Sequence, residues 1–490
     1  MTQDPAAPKR AAASGTDGGL ENADIQGLVA AGYGRLPAAR YLLLRVQNPV
    51  AARLWLGEIA DRLTNAAAPV THTGLNLAVT FAGLERLGLS AHTLGGFPPE
   101  FAEGMVTPHR SRMLGDTGAS DPARWRWGSL TSRVDILLML FASDEPTLAD
   151  LEEATATDLA AAGLASVARL DTVDLGDREH FGFRDGIAQP VIEGFGRAAT
   201  WRDSIKAGEF VLGYRNEYGR YAPRPAVAAG ADPSGILPED VEDSTVRDFG
   251  RNGTYLVFRQ LSQDVAGFWQ FAEREALASG QGSAEKLAAK IVGRWPSGAP
   301  LVRAPGSDDP SLGKLNDFDY GNEDPSGERC PVGAHVRRTN PRDSLDPSPG
   351  TDKSVTLVKR HRILRRGREY GAPLELNPTG SGRPPVDDGR ERGLHFICLN
   401  ANLRRQFEFV HGTWVASRKF AGLYDDADPL IASRGPGNDA LTIPDQPFRH
   451  RILHLPQFVT VVGGAYFFMP GLRAVRFLAS ISRSGAQPGG

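Results

Sequence analysis

The chain has 490 residues, 41 % apolar and 23 % charged, with a formal net charge of −3. That balance supports a sizeable hydrophobic core, and the absence of a basic excess weighs against a protein built to live on nucleic acid. Cys330 and Cys398, the two cysteines, exclude a disulfide framework, and neither belongs to a CxxC pair of the kind that holds structural zinc.

In chain order, residues 1–24 read as a disordered tail with neither the apolar run nor the twin arginine of an export signal. No stretch approaches the roughly 20 apolar residues that span a bilayer. A cytoplasmic protein without a membrane partner is the expectation. Next comes "YLLLRVQNPVAARLWLGEIADRL", a strand-like run from Tyr41 leading into helical spacing with Leu54, Trp55 and Ile59 on one face. A second strand–helix–strand unit follows in "VDILLMLFA" (134–142), 148–163 and "LASVARL" (164–170).

The second half repeats this grammar. "YLVFRQLSQDVAGFWQFAEREAL" begins at Tyr255 and matches the earlier stretch at Tyr41/Tyr255, Leu42/Leu256, Arg45/Arg259, Ala52/Ala266, Trp55/Trp269 and Leu63/Leu277. "GLHFICL" (393–399), a helical 400–410 and a late strand "QFVTVV" (457–462) complete it. Two such units per half predict an α+β fold: two tandem ferredoxin-like halves, of the dimeric α+β barrel type, with antiparallel sheets and peripheral helices. No GxGxxG follows a strand, so a dinucleotide fold has no support. The expected halves are 25–200 and 201–482, ending in a flexible tail at 483–490. Pro-, Gly- and Asp-rich loops at 222–250, 296–331, 343–354 and 372–391 are expected to form covers or channel walls.

Three motifs carry chemistry. In "HFGFRDGIAQP" (180–190), Gly182 and Gly186 bracket Asp185, so the backbone can turn tightly or approach a flat ligand while the carboxylate projects. An isolated Asp-Gly is usually a surface turn, but Phe181, Phe183 and Ile187 place this one beside apolar surface, and both readings stay open. In "CPVGAHVRRTNPRD" (330–343), His335 follows Gly333 and Ala334 and precedes Arg337, Arg338 and Arg342. A lone histidine is usually structural, yet small residues before it leave room for a planar group, and arginines beside it suit carboxylates. Haem combines these needs, an axial imidazole and cations for two propionates. In "KRHRILRRGREYG" (359–371), Ile363 and Leu364 interrupt a basic run. If that run is a strand end, Arg365 and Arg366 point to opposite sides.

Together the three motifs resemble the dye-decolourising haem peroxidases, in the longer branch known from bacteria and fungi. The GxxDG loop is Gly182-Phe183-Arg184-Asp185-Gly186, "GAHVRRTNPR" carries His335, and "ILRRGREYG" carries Arg365. The resemblance runs nearly end to end, through "GLNLAVTFAGLERLGL" (74–89), "FPPEFAEGM" (97–105) and "GGAYFFMPGLRAVRFL" (463–478). It implies one haem b per chain in the C-terminal half, with His335 as axial iron ligand. It also implies Asp185 as general base and Arg365 as stabiliser of developing negative charge during formation of a ferryl intermediate. Arg342 is the expected propionate contact, and Glu408 the expected partner of the axial imidazole, with Asn402 as alternative. Gly182 and Gly186 would let the loop approach the haem. Phe468, with Phe467, would wall the distal pocket unless both are core aromatics. The implied partners are hydrogen peroxide and small aromatic reductants, with the chain a monomer or homo-oligomer. A haem-binding or iron-releasing protein with little turnover is the alternative, and a polyanion-binding module using 359–368 a more distant one.

Overall fold

A computed structural model of the protein describes residues 19–196, 198–279, 282–376, 385–435 and 437–481. In chain order its main strands are β1 (Ala38–Val46), β2 (Thr73–Val79), β3 (Ile136–Ala142), β4 (Leu164–Asp171), β5 (Thr254–Gln263), β6 (Leu364–Arg365), β7 (Arg368–Tyr370), β8 (Gly393–Asn400) and β9 (Val459–Met469). They form one nine-stranded sheet in the order β6-β8-β5-β9-β2-β3-β1-β4, with β7 also on β8. All these pairings are antiparallel.

Each half has the ferredoxin-like order of fourth, first, third and second strand. It is β4-β1-β3-β2 in the first half and β9-β5-β8 followed by β6 and β7 in the second. The halves meet edge to edge where Phe468 of β9 pairs with Val79 of β2. The α+β expectation therefore holds, and the duplication is visible as one strand order used twice. β2 and the short β6–β7 pair are the strands that apolar periodicity did not mark.

Burial on both faces explains the continuous apolar strands. In β3, Ile136, Leu138 and Leu140 enter one core while Leu137, Met139 and Phe141 enter the other. Helices cover one of these faces. α1 (Pro49–Ala60) starts at Asn48, whose side chain accepts from the Val50 and Ala51 N–H groups, with proline at the first helical position. It packs beside the C-terminal Leu472–Ser480 helix, where Gly57 faces Ala479. In the second half, α2 (Val265–Ser279) and α3 (Ala284–Val292) pack together.

The matched tryptophans show how duplication diverged into function. Trp55 donates its indole N–H to Thr155 O at 3.0 Å, a bond within the first half. Trp269 donates to Phe181 O at 3.1 Å and so holds the loop that carries Asp185. Residues 1–18 and the 483–490 tail lie outside the described residues, as do 377–384 of the 372–391 loop. Within the stretch read as an N-terminal tail, Glu21 and Asp24 are bonded to Arg251, Asn252 and Arg473. Among the described residues no helix is long and apolar enough to cross a membrane.

Candidate active site

The GxxDG loop is anchored from its apolar side. Gly182 and Gly186 take φ of +92° and +78°, a region open to glycine and strained for other residues. Phe181 and Phe183 are buried against Phe268 of α2. The Glu179 carboxylate accepts from the N–H groups of Phe181 and Phe183 and from Gln263 Nε2. His180 Nε2 lies 2.8 Å from Tyr370 O, fastening the loop to β7. With its neighbours fixed in this way, Asp185 projects alone.

Arg365 Nη1 donates to Asp185 Oδ1 at 2.7 Å, across 180 residues. Arg365 is positioned by backbone bonds to the Gln189 side chain, which accepts from its N–H and donates to its carbonyl. Leu364 enters the core on one face of the sheet and Arg365 occupies the other. Burial works to raise the Asp185 pKa, but the Arg365 guanidinium, the Gly186 N–H and His335 outweigh it and hold the carboxyl below its ordinary value. Asp185 keeps 40 % of its side-chain surface and Arg365 32 %. Val336, the residue after His335, packs on the same apolar cluster as Phe181 and Phe183, which brings the two motifs to one region of the fold.

His335 opens a five-residue helix, α4 (His335–Thr339), directly after the buried Ala334. Its Nδ1 lies 2.9 Å from Asp428 Oδ2, and Asp428 Oδ1 accepts from the N–H groups of Leu430 and Ile431. Burial pushes the Asp428 pKa upward, but His335, Arg338 and these bonds bring it down to about 2. The carboxylate thus fixes one ring nitrogen of an imidazole that is 23 % accessible, and among the described residues Nε2 has no hydrogen-bond partner. Beneath it is a buried polar chain: His411 Nε2 is 3.3 Å from Arg259 Nη1, and Arg259 is ion-paired with Asp116. Burial and Arg259 lower the His411 pKa to about 3, so that ring is neutral.

These residues fit a haem. An imidazole backed by a carboxylate is a strong axial donor. Asp185 and Arg365 form a partly exposed ion pair, and a Cβ added at Gly186 would meet nothing within 4 Å, so the loop borders open space.

Other expected site residues sit elsewhere. Glu408 does not reach His335; in the π-helical Arg404–Glu408 stretch it pairs with Arg110 at 2.9 Å and accepts from Tyr466 Oη at 3.0 Å. A buried carboxylate is held by the cation and phenol beside it, and none of these is near Asp428. Asn402 caps the turn at Arg405 N. Phe468 is fully buried against Phe97 and Phe249, and Phe467 fills the opposite core, so the core-aromatic reading is correct for both. Arg342 has φ of +56° and bonds Asn316 and Phe318 backbone carbonyls while lying over the Phe318 ring. Beside it in one small cleft stands Arg362. Arg337 and Arg338 are buried and tie backbone carbonyls together, so they are not free for a ligand's carboxylates.

The basic run is likewise not a solvated patch. Arg362 donates to Ala188 O, Arg366 to Leu28 O and Val29 O, and Arg368 to Pro37 O and Tyr33 O. Sequence reasoning missed Asp428, which lies in an ordinary loop 93 residues from its partner. It also missed His411, which no local pattern distinguishes.

No family model matches the chain. It is 31 % identical to the multifunctional dye peroxidase DyP2 of an Amycolatopsis species, covering 91 % of each chain. It is 31 % identical to Peroxidase 2 of Mycetinis scorodonius over 86 % of this chain and 78 % of that protein. The chain belongs to the dye-decolourising peroxidase family. The peroxidase superposes on a fungal DyP-type peroxidase from Auricularia auricula-judae with TM-score 0.73 at 25 % identity, covering 94 % of this chain and 99 % of that one. A DyP-type peroxidase of an Anabaena species shares the fold, with TM-score 0.74 at 22 % identity over 94 % of both chains. Dye-decolourising peroxidases are haem enzymes, and the cleft of this peroxidase has the donor set that such a group needs.

Proposed function

We propose that this peroxidase uses hydrogen peroxide to oxidise dyes, phenols and other small aromatic reductants, with one haem b per chain held by His335. The observation that carries this reading is the Asp185–Arg365 pair at 2.7 Å in the same region of the fold as His335, whose ring is backed by Asp428. Haem bound there would supply the iron at which peroxide is held and split, and a store for the oxidising equivalents. The second half, 201–482, would hold it, and the first half, 25–200, would contribute Asp185.

Asp185, ionised well into the acid range, takes a proton from one peroxide oxygen and returns it to the departing one, so that water leaves. Arg365 serves twice: it keeps Asp185 ionised and offers a guanidinium to the negative charge that develops as the O–O bond breaks. Asp428 holds the His335 ring in one tautomer and orientation. A haem carrier without turnover has no use for a paired base and cation, which disfavours the iron-releasing alternative.

The test is a visible spectrum of the haem-loaded protein before and after peroxide, with His335→Ala and Asp185→Asn alongside. A Soret band that shifts within mixing time is expected for the natural chain, with an altered axial signature in His335→Ala and a slow shift in Asp185→Asn. Failure to take up haem at all would end the reading.

A further inference from the structure

Reduction of hydrogen peroxide to two molecules of water takes up two protons and two electrons. The proton handled by Asp185 is taken from peroxide and given back to it, so it contributes nothing to that sum. The two protons that accompany the electrons of the aromatic reductant must enter from elsewhere, on the side of the cleft where Asp185 stands.

Glu369 is placed for this. It lies in β7, four residues after Arg365. Arg368 and Tyr370 on either side turn to the other face of the sheet, Arg368 over the Phe141 ring and Tyr370 stacked on His395. Alternation therefore sends the Glu369 side chain to the face that carries Arg365. The strand is pinned beneath the GxxDG loop: His180 bonds Tyr370 O, and Val173 N donates to Glu369 O at 2.8 Å. Glu369 is partly exposed, and its carboxylate makes no hydrogen bond or ion pair with another described side chain. Glu179, by contrast, is committed to three N–H donors that hold the loop.

We propose that Glu369 is the proton-relay residue of the reductive half of the reaction, passing protons from solvent to the Asp185 side of the cleft. The inference rests on the distal reading of Asp185 and Arg365 given above. The groups that act on Glu369 are Asp185 and Glu179 from the loop and Arg368 from its own strand. Burial first, then the negative charges of Asp185 and Glu179, raise its pKa to about 7, against smaller opposing effects of its own backbone N–H and Arg368. A carboxyl of that affinity is divided between its acid and base forms at neutral pH, as a relay that both gives and regains protons requires. As each electron arrives from the reductant, Glu369 gives up its proton and regains one from water. Over a cycle two protons and two electrons enter, peroxide leaves as two waters, and the aromatic donor is oxidised by one electron at each step.

Glu369→Gln removes the proton and preserves the shape, and Glu369→Asp keeps a donor. In the haem-loaded resting protein, the infrared carboxyl band that titrates near neutral pH should vanish in Glu369→Gln. In Asp185→Asn, which lacks a nearby negative charge, the midpoint of that band should fall. Turnover of a phenol by Glu369→Gln at neutral pH should drop by about a hundredfold and remain largely intact in Glu369→Asp. A band that survives Glu369→Gln, a midpoint indifferent to Asp185→Asn, or undiminished turnover would each overturn the assignment. If Asp185→Asn cripples the peroxide reaction while Glu369→Gln behaves normally, only Glu369 is misassigned. If Asp185→Asn reacts normally with peroxide, the distal reading itself has failed.

Discussion

His335 and Asp428 meet at 2.9 Å, Nδ1 to Oδ2, and the other carboxylate oxygen of Asp428 accepts from two backbone N–H groups. In the proposed haem site this pair, rather than any contact of Glu408, would set the orientation and basicity of the imidazole. Asp428→Asn should weaken the iron–histidine bond seen by resonance Raman and slow the peroxide reaction by about 10- to 100-fold, the range for partners of metal-bound histidines. Glu408→Gln should leave the iron–histidine signature untouched while lowering stability through the loss of its bond to Arg110. The reverse pattern would return Glu408 to the role expected from sequence.

The second expectation concerns pH. The Asp185 carboxyl is held below its ordinary value chiefly by Arg365, so the base form persists as pH falls and is lost only below the usual carboxylate range. Peroxide cleavage should therefore stay active in acid, with its acid limb lying low. Arg365→Leu removes the cation, so the Asp185 pKa rises and the acid limb of the residual activity moves to higher pH. Stopped-flow rates of the Soret shift across pH, in both proteins, measure the displacement. An unmoved limb would show that Arg365 does not govern Asp185.

Arg368 provides the contrast within the same basic run. Its guanidinium bonds Pro37 O and Tyr33 O and covers Phe141, tying β7 to the first half. Arg368→Leu should lower unfolding stability by about 2 kcal/mol, since hydrogen bonds to charged groups contribute of that order. The peroxide reaction per folded molecule should scarcely change, whereas Arg365→Leu cripples it. Equal loss of reactivity from both would undo the division.

Phe468→Ala tests the reassignment of the late aromatic pair. A fully buried ring packed on Phe97 and Phe249 leaves a cavity when truncated, at a loss of roughly 3–5 kcal/mol in stability. Denaturant titration should register that loss, while the Soret shift with peroxide keeps its rate in whatever fraction remains folded. A selective slowing of peroxide cleavage at unchanged stability would put Phe468 back on the cleft.

Much of this was legible in the residues themselves. Strand and helix periods marked the two halves, because burial on a pleated or helical face imposes a local pattern whatever lies opposite. The three motifs were legible because each packs its chemistry into a few contiguous residues: two glycines about Asp185, small residues before His335, and an apolar break before Arg365. The opposite facing of Arg365 and Arg366 follows from strand alternation alone, and the structure has it.

Pairings between distant segments were not legible. Asp428 reaches His335, and Arg365 reaches Asp185, through loops whose paths depend on packing rather than on local spacing. Glu408 was expected beside the imidazole, but its π-helical stretch and the nearby Arg110 give it a different partner. Phe467 and Phe468 could not be assigned to faces from period two alone, because β9 shifts register against β5 between Val461 and Gly463, and such a bulge resets which residues point inward. The basic run shows the same limit. Its composition announced cations, and only the tertiary structure showed that Arg362, Arg366 and Arg368 each close on backbone carbonyls of another segment while Arg365 pairs with Asp185. Charge is a property of the residue. Its partner is a property of the fold, since a buried guanidinium must find acceptors wherever the packed chain supplies them.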